Sequence, residues 1–164
     1  MAPLTDTQVT SLALVGERLA DVSPQFALGG SALLAAHGLP VDVNDLDVLV
    51  WRADRAAVLE ALAPLGSFAE LPKRPPWTSD WLIAGDVGDA PVEVIADLGF
   101  IQGDVHYSIP EATSGTAGAE FPLSPLPYWY HLYSWYNPAK AELIGRVVPE
   151  AEREDARLEM IADS

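Results

Sequence analysis

Residues 27–50 read ALGGSALLAAHGLPVDVNDLDVLV: two glycines, a serine, a short apolar run, and then Asp45 and Asp47 separated by one leucine. The last part, DLDVLVW, has the leucine and valine content of a buried strand. In a strand, residues two apart face the same way. Asp45 and Asp47 therefore project together, while Leu46 and Val48 face the opposite side. Two ionised carboxylates on one face call for a cation. Hard oxygen ligands of this kind suit magnesium or manganese, which keep some of their waters and share substrate phosphates.

The residues before the aspartates add an anion site. SPQFALGG reads as a turn and a short apolar strand ending at Gly29 and Gly30. Ser31 is suited to be the N-cap of a two-turn helix, ALLAAHG, closed by Gly38. Glycine lets a phosphate approach the backbone closely, and a helix N-terminus supplies N–H donors and a favourable dipole. Further on, VEVIADL sets Glu93 between Val92 and Val94. An isolated acid in an apolar strand needs a partner, and Glu93 is the third metal ligand expected. Asp97 falls on the same strand face as Glu93, four residues on, and ranks behind it. A phosphate cradle, two acids on the next strand and a third acid on a neighbouring strand fit phosphoryl or nucleotidyl transfer with metal ions.

The rest of the chain reads as a frame for these parts. Residues 5–21 have roughly helical apolar spacing at Val9, Leu12, Leu14, Val15 and Leu19, and residues 53–64 read as an alanine- and leucine-rich helix. DWLIAGDV, the turn GDAP and VEVIADL suggest a hairpin, with a further strand near DVHYSI. PEATSGTAGAEFPLSPLP reads as a long loop or flap, YWYHLYSWY as an aromatic helix stopped at Asn137-Pro138, and PEAEREDARLEMIA as a last helix opened by Pro149. This order of elements implies an α/β (α+β) domain, a mixed β-sheet flanked by helices, spanning residues 1–164. Its core is expected over about 24–110 and its C-terminal helices over about 123–164.

Composition bounds the function. The chain has 164 residues, no cysteine and a formal net charge of −15. Disulfides and zinc-thiolate chemistry are excluded. So acidic a surface repels nucleic-acid backbones and anionic lipid, which disfavours nucleic acid as partner. The opening MAPLTDTQVT lacks the basic segment and apolar run of a secretory signal, and no run reaches the length of a membrane span. A cytoplasmic protein without a membrane partner is expected.

With these residues in view, GGSALLAAHGLP…DLDVLV resembles the core motif of the nucleotidyltransferase superfamily. In that motif a strand ends in Gly-Gly or Gly-Ser, a helix follows, and the next strand carries Asp-x-Asp. The form is most similar to the minimal nucleotidyltransferases, including lincosamide-type antibiotic nucleotidyltransferases and abortive-infection toxins of toxin–antitoxin systems. The C-terminal EREDARLEMI is loosely similar to a helix these proteins share. The resemblance implies a nucleotidyltransferase fold, with Asp45, Asp47 and Glu93 as metal ligands and catalytic acids. It implies a nucleoside triphosphate as co-substrate, Mg2+ (or Mn2+) as metal, and Gly29, Gly30 and Ser31 on the leaving phosphates. A basic residue of the C-terminal part, Lys140 or Arg146, would contact those phosphates. The acceptor is a hydroxyl of a small molecule or protein.

Two departures leave a second class open. Val41 and Val43 stand where many relatives carry arginine and threonine, and Asp42 adds a negative charge. A catalytically silent binding module of the same fold, such as a toxin–antitoxin component, is the alternative. Among the other residues, Lys73 and Arg74 read as a solvated loop, with reach to a triphosphate as the alternative, and His37 as structural. Tyr128, Trp129, Tyr130, Tyr133, Trp135 and Tyr136 read as core packing with a partner surface or a stacking wall for a ring. The aromatic surface also makes a homodimer an expectation.

Overall fold

The strand that carries the aspartates is the second of a five-stranded mixed sheet. In the computed structural model, which describes residues 4–118 and 120–162, the strands are β1 (Phe26–Gly29), β2 (Leu46–Val50), β3 (Phe68–Glu70), β4 (Trp81–Val87) and β5 (Ala90–Ala96). Residues 1–3, 119 and 163–164 of the expected domain lie outside the described residues. The sheet order is β1-β2-β5-β4-β3. β2 and β5 are parallel, and the other neighbours are antiparallel. The expected hairpin of β4 and β5 is present, with Val87 opposite Ala90 at its turn.

The two faces of the sheet follow from alternation. Val92, Val94 and Ala96 of β5 and Ile83 of β4 are buried on one face. There α1 (Asp6–Leu19) packs on β5 and on α3 (Arg55–Leu62). Leu12, Val15 and Leu19 form the buried stripe of α1, whose start is fixed by a capping box between Thr5 and Gln8. The side chain of Asp54 caps α3 by accepting from Ala57 N at 3.0 Å. On the opposite face, Asp47, Glu93 and Ile95 are only half-buried.

That second face is partly covered by α4 (Leu126–Tyr136), which is braced by α5 (Pro138–Gly145) and α6 (Glu150–Glu159). The aromatic helix of the sequence reading is α4. It is held by Phe100, whose ring lies 5.2 Å from that of Trp135 and 5.5 Å from that of Tyr107, stacked on both. Phe100 belongs to β6 (Gly99–Gln102), which pairs with β7 (Val105–Ser108) in a small separate hairpin. β7 is the expected strand near DVHYSI; its partner β6 lies in LGFIQ, left unassigned from sequence.

Other elements depart from expectation. Ser31 is not an N-cap: Gly29 takes that position, α2 (Gly30–Ala36) starts two residues earlier, and no side chain caps it. Asn137 does end α4, but its side chain also accepts from Lys140 N and so starts α5, a helix not foreseen. The long loop is not a free flap. It carries β8 (Thr116–Ala117) and β9 (Phe121–Pro122), and it docks on β1 through a Leu28–Leu123 bridge and a Phe26–Phe121 ring contact at 5.2 Å.

Candidate active site

Register brings the acids together. Asp47 on β2 lies directly beside Glu93 on the parallel strand β5, and Asp45 just precedes β2 on the same side. One carboxylate oxygen from each of Asp45, Asp47 and Glu93 lies within 4.8 Å of the others. Burial, and then the charges of Asp45 and Glu93, hold the Asp47 carboxyl well above the usual carboxylate range; Lys140 pulls the other way. Glu93 is pushed up by burial and by Asp45, against the hydrogen bond it shares with Asp47. Three partly desolvated carboxylates that repel one another form a donor set suited to a hard divalent cation.

Backbone geometry makes this possible. Gly30 has φ +63°, and a Cβ there would run into the Asp47 carboxylate. A Cβ on the neighbouring Gly29 would run into the indole of Trp129. The glycine pair thus clears space for Asp47 and for a buried tryptophan, whose Nε1 donates to Ser124 Oγ at 2.9 Å. Ser31, in the first turn of α2, accepts from Lys140 Nζ at 2.6 Å. The same ammonium lies 5.2 Å from the ring centre of Tyr133. The Tyr133 hydroxyl is held above its ordinary range by burial and by the charge of Asp47.

The remaining candidates separate. Arg146 is exposed and paired with Glu142 at 3.0 Å, so the fold does not bring it to the acids. Asp97 turns out of β5 at φ +50°, where its Oδ1 accepts from Arg52 N at 3.4 Å, outside the acid cluster. Val41 is buried in the core, Val43 packs against it, and the Val43 carbonyl accepts from Gln8 Nε2 at 3.2 Å. These valines fasten the connection before β2 to the rest of the molecule. Burial holds the His37 imidazole below its ordinary pKa.

A cavity of about 430 Å3 opens between this face of the sheet and α4. Asp47 and Glu93 stand at one wall, Leu82 and Ile95 form the floor, and Tyr133 and Tyr136 reach in from α4. Residues 71–74 and Trp77, from the connection between β3 and β4, close the far side. Lys73 and Arg74, which the sequence places in a loop, thus stand at the cavity wall with Trp77 of the same KRPPWTS stretch. A smaller opening of about 260 Å3 borders Asp45, Asp86 and Glu93. The acids therefore border two openings.

This arrangement is the nucleotidyltransferase fold. Among solved structures, the chain is similar to ANT(2'')-Ia in complex with adenylyl-2''-tobramycin, at 13% identity and a TM-score of 0.60, over 93% of this chain and 96% of that one. It is similar to the solution structure of the antibiotic-resistance factor ANT(2'')-Ia at 14% identity and 0.62, over 95% and 92%. A Thermotoga maritima protein described as a nucleotidyltransferase matches at 20% identity and 0.62, over 84% and 90%. No family model and no curated protein matches the sequence. Likeness at these identities establishes the fold.

Proposed function

We propose that the protein is a metal-dependent nucleotidyltransferase that moves a nucleoside monophosphate from a nucleoside triphosphate to a hydroxyl, releasing pyrophosphate. The observation that carries this reading is the meeting of Asp45, Asp47 and Glu93 within 4.8 Å, set on this fold. The three carboxylates would hold Mg2+ or Mn2+, which when bound polarises the reacting phosphate and acidifies the acceptor. Glu93, in the cavity lining, orients the acceptor hydroxyl and takes its proton. Lys140, with Ser31 and the Gly29–Gly30 turn, holds the leaving phosphates. A small-molecule acceptor is supported by ANT(2'')-Ia, which is found with adenylyl-2''-tobramycin; a protein acceptor is the other option.

A second reading, a module that binds a nucleotide without turnover, is favoured by one observation. Trp129 packs on Gly29 and Lys140 is already bonded to Ser31, so the phosphate turn is covered on that side. Thermal unfolding with magnesium and each nucleoside triphosphate tests both readings against Asp47→Ala. Ligand at a hundred times its Kd stabilises the parent by about 2.7 kcal/mol, and Asp47→Ala removes the response. An equal response from parent and variant sinks the site assignment. Pyrophosphate release against a panel of hydroxylated acceptors then separates transfer from silent binding.

A further inference from the structure

We infer that the 430 Å3 cavity receives the acceptor, and that the acceptor is a ring-bearing hydroxy compound with an acidic group rather than a polycation. This rests on the transfer reading above.

Three observations carry the assignment. The first is the position of the phosphate contacts. Ser31 and Lys140 lie outside the cavity lining, with the Lys140 ammonium 5.2 Å from the ring of Tyr133 at its edge. A triphosphate held there leaves the cavity for the second substrate, with Glu93 facing it.

The second is the character of the walls. Leu71, Leu82, Ile95, Leu98 and Leu132 surround the space, and Trp77 lies edge-on to Tyr136 with ring centres 5.4 Å apart. Such walls take a flat ring by stacking and burial. Among the described residues, the acids in the lining are Asp47 and Glu93, both part of the three-carboxylate cluster. A polycation of the tobramycin kind would find no further carboxylate to pair with.

The third is charge. The chain has nine lysines and arginines against 24 acids. Arg52, Arg55, Arg146 and Arg157 pair with carboxylates. Lys73 and Arg74, on the cavity wall, pair with none among the described residues. In so acidic a protein, two adjacent unpaired cations at a cavity favour an anion from outside. Leu71 extends the line of β3 beside Leu82, whose partner on β5 is Ile95, so it stands two strand spacings across and two residues along from Glu93, roughly 12 Å. Lys73 and Arg74 follow Leu71 in the same lining, so a two-ring molecule with its hydroxyl at Glu93 would direct its acidic group along the cavity toward them. In the reaction the hydroxyl oxygen bonds to the α-phosphorus, the bond to the bridging oxygen breaks with its electron pair leaving on pyrophosphate, and the hydroxyl proton passes to Glu93.

The test is a fluorescence titration of the full chain with a hydroxynaphthalene sulfonate, in magnesium and a non-hydrolysable nucleoside triphosphate. The sulfonate binds, tobramycin does not compete, and the exposed-loop double variant Lys73→Glu, Arg74→Glu binds the sulfonate at least tenfold more weakly with nucleotide affinity within twofold of the parent. Tighter binding of tobramycin than of the sulfonate, an unchanged double variant, or displacement of the sulfonate by the nucleotide would each overturn the inference. The nucleotide-induced thermal shift of the same samples reads the transfer proposal separately. Its absence alongside selective sulfonate binding removes that proposal and supports the ring-and-anion selectivity.

Discussion

Lys140 Nζ donates to Ser31 Oγ at 2.6 Å, tying the first turn of α5 to the first turn of α2. The two residues are 109 apart in sequence, so the bond depends on the C-terminal helices folding back over the sheet. The ammonium also opposes the rise in the Asp47 pKa. On the proposed function, it exchanges the serine for a phosphate oxygen when the nucleotide binds. A hydrogen bond to a charged group contributes about 1.5–3 kcal/mol. Lys140→Met should therefore lower kcat/KM for the nucleoside triphosphate by roughly 10–100-fold, and Ser31→Ala by much less. Steady-state pyrophosphate release over a nucleotide series measures both. A Lys140→Met enzyme with unaltered nucleotide dependence would remove Lys140 from the site.

Gly30 and Gly103 make a matched pair for testing the turn. Both have φ +63°, but a Cβ on Gly30 meets the Asp47 carboxylate, whereas one on Gly103 meets nothing within 4 Å. Alanine in this region of backbone space costs roughly 1–2 kcal/mol. Gly103→Ala should lose about that much in urea unfolding and keep its magnesium response. Gly30→Ala should lose more, since Asp47 must also move, and its magnesium-dependent rise in Tm should vanish. Identical behaviour of the two variants would mean that Gly30 does not position Asp47.

The acid cluster was legible because each member obeys a local rule. Asp45 and Asp47 sit two apart on a strand, and Glu93 interrupts an apolar one; only the β2–β5 register, which joins them, is non-local. The role of the glycines was half legible. Their special backbone could be read, but not that Asp47 and Trp129 fill the space beside them, because Trp129 arrives from a helix a hundred residues on. Ser31 was misplaced by one turn rule: Gly29 takes the cap in extended conformation, and the serine is spent on Lys140 instead. Lys140 was picked out by its scarcity of kind. Arg146 looked equivalent in sequence, but the turn of helix that carries it leaves it beside Glu142 at the surface. Of the cavity only the aromatic wall was legible, in Tyr133 and Tyr136; its other walls come from β2, β4, β5 and the 71–77 connection, and no local pattern announces their meeting.

The raised pKa values of Asp47 and Glu93 give a pH dependence with a definite sign. A carboxyl whose folded-state pKa lies above its unfolded value holds its proton more tightly when folded. The stability it contributes is fully present below the unfolded pKa and is lost as pH rises through the folded pKa. The metal-free protein should thus lose stability as pH climbs above the ordinary carboxylate range, through the folded-state values of this pair. Saturating magnesium should reverse that loss, because the cation favours the ionised acids. Asp47→Asn removes the charge that burial, Asp45 and Glu93 all oppose, so its metal-free Tm at neutral pH should exceed that of the parent, and magnesium should raise it little. Thermal unfolding across a pH series, with chelator and with magnesium, measures all three. A parent whose metal-free stability rises steadily with pH over that window would show that the three carboxylates do not repel one another as their geometry demands.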